Sequence, residues 1–438
     1  MLTVYLYDYP YKMKEFLRHS LPIIGLCVSL VVFASCDTIF GTKSDSTNDE
    51  IIDEGNIDPN LENVDGYAPV LPFWEDFDEP TDVHVGFDQL VYVTDSQGLH
   101  LLDRADLGPR QTISMRGAIG VSQDRLLTLY VAARDSILVP ERNNERFDLP
   151  VVYVIEDFHT GTPTIVDTLI FPFDDASLST RAAQISRINR NRIDNYEQVS
   201  ITSITTLADN TFYISRTGPL NSLTSIASAD NIILEFERVG NTNEFANVRQ
   251  LRSLSPVTPS LASSVGVTGL SSLVAPPQRN TFTDDRSFLL TQGDQNTEIP
   301  FRVLWVNAVE TTDGLVFEPN RDLLRRDTTV ADSFLYDPFK FRNPADIAFA
   351  GDQTRFIFVV DSELNRLYQF QANGEEGVIP PAGAVDRSRN LIVSFGTLGS
   401  GPKEFNQPSG VSYFDRIVYV ADKGNNRIAR FRLTSDFE

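Results

Sequence analysis

The stretch FNQPSGVSYFDRIVYVADKGNNRIARF, residues 405–431, decides the fold because its pattern recurs in the chain. A second copy, FRNPADIAFAGDQTRFIFVVDSELNRLYQF, occupies residues 341–370, and a partial copy, FDEPTDVHVGFDQLVYVTDSQGLHLLD, occupies residues 77–103. In each copy a Phe stands three residues before a Pro, a short alternating strand follows, and a second strand ends at an Asp. Repetition of this kind indicates a fold assembled from similar supersecondary units.

The local chemistry of the repeat is that of β-strands joined by tight turns. Pro80, Pro344 and Pro408 precede strands, where a missing N–H costs least. Period-2 alternation in IVYVAD and FIFVVD predicts strands with one buried face. We expect Asp361 and Asp422, at the ends of second strands, to accept backbone N–H bonds across the following turn; a metal or catalytic role is the alternative.

The rest of the chain lacks this motif but has strand-like segments at a similar spacing. Counting sets of four strands gives six blades that start near residues 77, 117, 200, 266, 341 and 405. The last set ends after its third strand, which would leave an open sheet edge. We predict that YAPVLPFW, residues 67–74, supplies the missing strand and so joins the two ends of the folded region.

The longer form of the repeat, GTLGSGPKEFNQPSGV at 396–411 followed by IVYVADKGNNRIARF at 417–431, resembles an NHL repeat. Two copies match well and residues 77–103 match in part, so the resemblance covers about a quarter of the chain. It implies an all-β fold, a six-bladed β-propeller over residues 67–438. NHL-like propellers act chiefly as interaction platforms, and the same is expected here.

The first 36 residues have the pattern of an export signal. From Met13 the chain carries two basic residues, then an apolar run over 21–33, then small residues before Cys36. The apolar run is shorter than the roughly 20 residues of a transmembrane helix. The preceding MLTVYLYDYPYK adds nothing to such a signal, so we expect translation to start at Met13. FASC resembles a bacterial lipobox, with Phe33 where Leu is usual, which implies a lipid anchor on Cys36; an ordinary signal peptide with an unrelated cysteine is the alternative.

Residues 37–66 are predicted to be a flexible tether. They hold nine Asp or Glu and one basic residue, Lys43, and such a segment extends by charge repulsion rather than forming a core. The whole chain has a net charge of −23. This balance excludes DNA and RNA as main partners, because phosphate binding requires a basic surface.

The loops between blades, and those between the second and third strands of each blade, are expected on one face, which we call the top face. Long insertions fall there at 135–149, 174–199, 216–231, 252–265, 293–300 and 320–340. Binding residues concentrate on loops carried by rigid scaffolds, so the top face is the candidate ligand-binding surface. One insertion contains four arginines that could grip carboxylates or phosphates, namely Arg181, Arg187, Arg190 and Arg192. Pairing with the protein's own acidic residues is the alternative role.

The inner strands provide a second candidate site. Asp82 and Asp346 occupy equivalent positions, where blade 6 has Gly410, and His84 aligns with Ala348 and Ser412. These side chains could form a site at the channel mouth. The simpler interpretations are that Asp82 and Asp346 are alike only because the blades share one ancestral repeat, and that His84 is an ordinary core or surface histidine. No metal-binding, nucleotide-binding or hydrolase motif occurs, so no catalytic residue, metal or cofactor is predicted.

We therefore expect a monomeric, lipid-anchored propeller in a bacterial cell envelope, facing the periplasm or the cell surface. It would bind a protein or an acidic glycan through the top face. The alternative is a metal-dependent propeller enzyme, lactonase-like or lyase-like, with its site at the channel mouth.

Overall fold

The computed structural model describes residues 56–57, 66–105, 111–139, 144–158, 162–170, 197–219, 230–240, 242, 244–251, 266–277, 286–293, 299–380 and 386–434. Cys36 and the four arginines of the 174–199 insertion lie outside the described residues, as do the whole signal segment and most of the predicted tether.

The described residues form six antiparallel sheets. Blade 1 contains β3 (Asp82–Val85), β4 (Val91–Thr94), β5 (Gly98–Leu102) and β6 (Gln111–Ser114). Blade 2 contains β7 (Gly120–Gln123), β8 (Leu129–Val139), β9 (Glu145–Glu156) and β10 (Thr164–Ile170). Blade 3 contains β11 (Ser200–Thr206), β12 (Phe212–Thr217), β13 (Ile232–Arg238) and β14 (Phe245–Leu251).

Blade 4 contains β15 (Val267–Ser272), β16 (Phe288–Gln292), β17 (Val303–Thr311) and β18 (Gly314–Pro319). Blade 5 contains β19 (Pro344–Phe349), β20 (Ile357–Asp361) and β21 (Arg366–Phe370). Blade 6 contains β22 (Pro408–Phe414), β23 (Ile417–Asp422) and β24 (Arg427–Leu433), joined by β2 (Tyr67–Leu71) and β1 (Asn56–Ile57). Two short 3-10 helices, Arg321–Leu324 and Lys423–Asn425, complete the described secondary structure.

The first strand of each blade is the innermost one, and these six strands contact each other in a closed cycle. The order is β3, β7, β11, β15, β19, β22 and back to β3. The structure is thus an all-β six-bladed propeller, as the repeat predicts. The core consists of apolar layers between neighbouring blades, and the inner strands surround a central channel.

The predicted closure is confirmed. Strand β2 pairs antiparallel with β24, with Tyr67 opposite Leu433 and Pro69 opposite Phe431. Trp74 extends the closure through two backbone hydrogen bonds with Ile428, of 3.2 and 2.8 Å. Strand β1, which falls within the predicted tether, pairs with the outer edge of β2 and adds a fifth strand to the blade.

The aspartates that end the second strands of the repeat accept backbone hydrogen bonds at the following turn, as expected. The Asp361 carboxylate accepts the backbone N–H of Arg342 at 2.7 Å and that of Leu364 at 3.0 Å. Asp422 accepts the N–H of Asn406 at 2.7 Å. Each carboxylate therefore ties the segment before the inner strand to the end of the second strand of the same blade.

Two elements differ from the sequence prediction. The 135–149 insertion is largely not a loop, because β8 and β9 continue as a hairpin in which Ile137 pairs with Phe147. Both side chains are buried, so apolar packing extends the ladder beyond the blade. Among its described residues blade 5 has no fourth strand, and β21 is instead covered by irregular chain that bridges Leu367 to Phe395.

The contacts of Trp74 at the ring closure predict that Trp74→Ala destabilises the protein. The Trp74 side chain is 1% exposed, stacks on Tyr419 at 5.8 Å between ring centroids, and lies under the Arg430 guanidinium at 4.5 Å. Its truncation should lower the free energy of unfolding by about 3–5 kcal/mol, measured by chemical denaturation. Truncation of the 65% exposed Leu126 is the control and should cost less than about 0.5 kcal/mol. Equal effects of the two variants would contradict the closure.

Candidate functional site

Near its start, each inner strand presents one residue at an equivalent register position. Carboxylates or a hydroxyl alternate there with glycines around the ring. In blade order the residues are Asp82, Gly120, Ser203, Gly269, Asp346 and Gly410. The predicted alignment of Asp82 with Asp346 therefore belongs to a threefold alternation that runs through the whole ring.

The polar members of this first ring bind the next blade. Each accepts the backbone N–H of the residue that follows the glycine of that blade. The bonds run from Val121 N to Asp82 Oδ2, from Leu270 N to Ser203 Oγ and from Val411 N to Asp346 Oδ2, each 2.9 Å long. Asp82 also accepts the N–H of Val83 in its own strand at 2.8 Å. Because an inner strand is a sheet edge, its channel-facing N–H groups need such partners.

The glycines allow neighbouring inner strands to approach closely. A Cβ on Gly410 would lie 2.7 Å from the Cα of Asp82, and one on Gly269 would lie 2.7 Å from the Cα of Asp346. A Cβ on Gly120 would meet only ordinary contacts, at 3.5 Å or more. Close approach is thus required at two of the three glycines.

A second ring lies two residues further along the inner strands. Five of its members accept an N–H from the next blade, and the sixth, Ala348, has no acceptor. The bonds run from Val85 N to Ser412 Oγ (3.1 Å), Gln123 N to His84 Nε2 (3.2 Å), Thr206 N to Ser122 Oγ (3.1 Å), Ser272 N to Thr205 Oγ1 (2.9 Å) and Phe349 N to Ser271 Oγ (3.1 Å). Small polar side chains thus join consecutive blades from blade 6 through blade 1 to blade 5.

His84 does in blade 1 what a serine or threonine does in blades 2, 3, 4 and 6. Since its Nε2 accepts a hydrogen bond, the ring is neutral and carries its proton on Nδ1. Burial lowers the pKa of His84 to about 4, with the nearby Asp88 opposing the shift. The imidazole therefore remains an acceptor at neutral pH.

Asp82, His84 and Asp346 line one cavity of about 60 Å³ in the channel. This is room for a few water molecules. No lysine or arginine is among its described lining residues. Burial raises the pKa of Asp82 to about 6, and burial together with the negative charge of Asp82 raises the pKa of Asp346 well above its usual range. Within the described ranges, no three His, Cys, Asp or Glu side chains are grouped so that they could hold a metal ion.

A larger cleft of about 530 Å³ lies on blade 5, between the 320–340 insertion, the turn before β21 and the irregular chain after it. We call it the blade-5 cleft. Its lining residues combine charged, hydroxyl and apolar groups: Asp332, Ser333, Lys340, Leu364, Arg366, Tyr368, Glu376, Ile392, Gly396 and Thr397. The insertion and the turn both belong to the predicted top face.

A buried ion pair forms one wall of the blade-5 cleft. Lys340 Nζ lies 2.6 Å from Glu376 Oε2 and also donates to the hydroxyl of Ser333. The same ammonium lies over the Tyr368 ring, 5.2 Å from its centroid. Burial raises the pKa of Glu376, but the charge of Lys340 together with hydrogen bonds from Lys340, Ser394 and Ser333 outweighs this effect and holds the pKa below its usual value.

Sequence reasoning predicted a top face but did not single out the blade-5 cleft. The 320–340 insertion was the available signal, whereas Tyr368 and Glu376 carried no motif. The hydroxyls of the second ring were also missed, although alignment of the repeats places Ser122, Thr205 and Ser271 at the His84 position. In the part of the chain that the structure describes, no helix is long and apolar enough to cross a membrane.

The first ring predicts different effects for two matched substitutions. Gly410→Ala should lower the free energy of unfolding by about 1–3 kcal/mol, because the backbone of blade 1 must move away from the new methyl group. Gly120→Ala, at the equivalent position of blade 2, should change it by less than about 1 kcal/mol. Chemical denaturation measures both, and equal destabilisation would show that close approach is not what selects glycine.

The carboxylate pair predicts a pH dependence. Because both groups bind a proton more tightly in the folded than in the unfolded state, they lower the free energy of unfolding as pH rises above about 4, and for Asp82 this loss continues through about 6. Asp346→Ser keeps an acceptor for Val411, as Ser203 does for Leu270, and removes one charge. The variant should therefore gain about 1–3 kcal/mol relative to wild type between pH 4 and pH 8.

Denaturation at pH 4, 6 and 8 tests this prediction. The exposed Asp313→Ser substitution is the control, and its difference from wild type should not depend on pH. A gain for Asp346→Ser on acidification instead of on alkalinisation would reverse the proposed sign.

Comparisons with known proteins agree with the repeat. Residues 405–431 match the family model of the NHL repeat. No curated protein sequence matches the chain.

Several solved structures are similar at low scores. An auxiliary nutrient binding protein from Bacteroides thetaiotaomicron VPI-5482 aligns over 81% of this chain and 69% of its own, with 9% identity and a TM-score of 0.44. A gluconolactonase from Xanthomonas campestris aligns over 84% and 90%, with 8% identity and a TM-score of 0.44. A virginiamycin B lyase from Staphylococcus aureus aligns over 83% and 98%, with 9% identity and a TM-score of 0.38.

Likenesses of this strength carry no argument about ligand or reaction. The match at 405–431 covers β22, β23 and β24, which are three strands of blade 6. The protein is an all-β, six-bladed β-propeller whose last blade contains an NHL repeat.

Proposed function

We propose that this protein is a binding scaffold that a lipid on Cys36 anchors to a bacterial membrane, outside the cytoplasm, and that it engages a protein or glycan through its top face. The carrying observation is the difference between the channel and the top face. Polar groups in the channel hold the blades together, whereas the blade-5 cleft, which the predicted top-face insertion 320–340 helps to form, is roomy and has mixed chemistry.

Three channel side chains hold neighbouring blades together through hydrogen bonds. Asp82, Asp346 and His84 each accept a backbone N–H from the neighbouring blade. A ligand that recruited these atoms would have to replace bonds that keep consecutive inner strands together. This linkage favours a structural channel over a catalytic one.

The top face has the features expected of a recognition surface. Its 320–340 insertion is ordered by the Lys340–Glu376 ion pair and by a hydrogen bond of 2.7 Å from Phe339 N to Pro300 O. Phe339 is 64% exposed, and the nearby cleft offers Ile392, which is 43% exposed. Exposed apolar groups beside anchored polar ones are typical of binding surfaces.

A metal-dependent enzyme is the second candidate, and one observation favours it. Asp82, His84 and Asp346 line the same channel cavity, so a divalent cation there would neutralise two buried carboxylates. In that case the channel would be the reaction site, and the top-face loops would serve to admit substrate.

Metal analysis of the full-length chain separates the two candidates. After dialysis in metal-free buffer without chelator, we expect far less than one Zn or Ca per chain. One retained ion per chain that Asp346→Ser removes would contradict the scaffold proposal. The exposed Asp313→Ser variant controls for surface binding, because its loss should not change a metal held in the channel.

A further inference from the structure

We propose that the blade-5 cleft is a binding site for a carboxylate side chain of an acidic peptide segment, and that Arg366 holds this carboxylate. The inference rests on the proposed function, because it assigns a partner chemistry to one part of the predicted top face.

Arg366 occupies the same position in blade 5 as Arg427 does in blade 6. Each arginine is the first residue of the third strand of its blade. Each also lies opposite the aspartate that ends the second strand, Asp361 in blade 5 and Asp422 in blade 6. The repeat therefore provides an internal reference for the contacts that an arginine makes here when it stabilises the fold.

In blade 6 every nitrogen of the guanidinium is bound by the protein. Arg427 Nε donates to Asp422 Oδ2 at 2.8 Å. The two Nη atoms donate to the carbonyl oxygens of Ser400, Gly401 and Glu404 at 2.8, 3.1 and 2.8 Å. Arg427 is only 7% exposed, so its charge is compensated by a buried carboxylate and its donors hold the loop before blade 6.

In blade 5 the arginine lacks these contacts. The Asp361 carboxylate instead accepts the backbone N–H groups of residues 342–343 and 363–364. Within the described residues, Arg366 makes one hydrogen bond, from Nη2 to Ser394 O at 3.0 Å, and no carboxylate pairs with it. Arg366 lines the blade-5 cleft, which leaves its other N–H groups for a ligand.

The other charges that line the cleft have partners. Lys340 lies 2.6 Å from Glu376, and Asp332 lies 2.8 Å from Arg389. Of the described charged residues that line the cleft, Arg366 is thus the one without a counter-charge. One positive charge matches one carboxylate, whereas a phosphate would bring up to two negative charges close to Asp332 and Glu376.

The setting of Arg366 suits a carboxylate in particular. A guanidinium binds a carboxylate through two parallel N–H···O bonds, which a lysine cannot form. The bond to Ser394 O and the Tyr368 ring, whose centroid lies 5.4 Å from the guanidinium carbon, hold Arg366 in place. Because the group is already held, less conformational entropy is lost when a ligand binds.

The remaining lining favours a peptide over an acidic sugar. The volume of about 530 Å³ lies within the roughly 300–1,000 Å³ of ordinary ligand pockets. Leu364 and Ile392 provide aliphatic surface, and Ile392 is 43% exposed. Tyr368 is the one aromatic residue among the described lining residues, and at 8% exposure it offers no open ring face on which a sugar could stack. A peptide can place a carboxylate on Arg366 and a neighbouring aliphatic side chain on Ile392.

The test is peptide binding by the detergent-solubilised full-length chain, measured by titration calorimetry. The probe is the N-acetylated, C-amidated hexapeptide Gly-Leu-Glu-Leu-Glu-Gly, and the same peptide with glutamine in place of glutamate is the uncharged comparison. We expect saturable binding of the glutamate peptide with a Kd of about 1 mM or tighter. The glutamine peptide should bind about tenfold more weakly or worse, and Arg366→Gln should weaken binding of the glutamate peptide to a similar extent.

Matched variants separate a ligand-binding arginine from a structural one. Arg342→Gln removes the same charge from a side chain that is 67% exposed and does not line the cleft, and the affinity should remain at the wild-type value. Arg366→Lys keeps the charge without the planar fork and should restore only part of the affinity. Arg366→Gln should leave the Tm at the wild-type value, whereas Arg427→Gln should lower it by several degrees because it leaves Asp422 buried without its partner.

Each contrary outcome has a distinct meaning. Equal binding of the two peptides, no binding of the glutamate peptide, or binding that Arg366→Gln does not weaken would overturn the cleft assignment and leave the scaffold proposal intact. Equal losses of Tm in Arg366→Gln and Arg427→Gln would show that Arg366 is a structural arginine. Binding of digalacturonic acid through Arg366 without binding of the peptide would overturn the peptide assignment in favour of an acidic sugar. A channel metal that depends on Asp346 would instead contradict the proposed function, whatever the peptide result.

Discussion

The constraint on which this propeller depends is the satisfaction of backbone N–H groups on its inner strands. Each inner strand is the edge of its sheet, and its free N–H groups point into a buried channel where water is scarce. Side chains from the preceding blade accept these bonds, through Asp82, Ser203 and Asp346 in the first ring and through His84 and hydroxyls in the second. The blades are therefore joined by directed bonds as well as by apolar packing.

This arrangement explains the residue types at the channel better than catalysis does. An aspartate accepts two N–H groups at once, as Asp82 does from Val83 and Val121. At Gly269 and Gly410 the close approach of the neighbouring strand leaves no room for a Cβ. The electrostatic consequence is two buried carboxyls with raised pKa values. The roomier cleft lies outside the channel, on blade 5, where irregular chain covers β21 among the described residues.

The repeat was strong enough to predict the number of blades, their starting points and the closing strand. Prolines before strands, period-2 alternation and the terminal aspartates are local signals, and each was readable without tertiary information. The long β8–β9 hairpin was missed because Ile137 and Phe147 are buried only by packing in the finished fold. The three-stranded blade 5 was missed because nothing local distinguishes 376–397 from a distorted strand.

By itself, the sequence determined the six-bladed β-propeller, since strand and turn preferences act over a few residues and the same phrase recurs along the chain. Only the tertiary structure decided what Asp82, His84 and Asp346 do, because their partners are backbone N–H groups 39 to 65 residues away in neighbouring blades. The blade-5 cleft is likewise a tertiary feature. Its walls come from an inter-blade insertion, a turn and an irregular outer segment, and only ring closure and packing bring these three together.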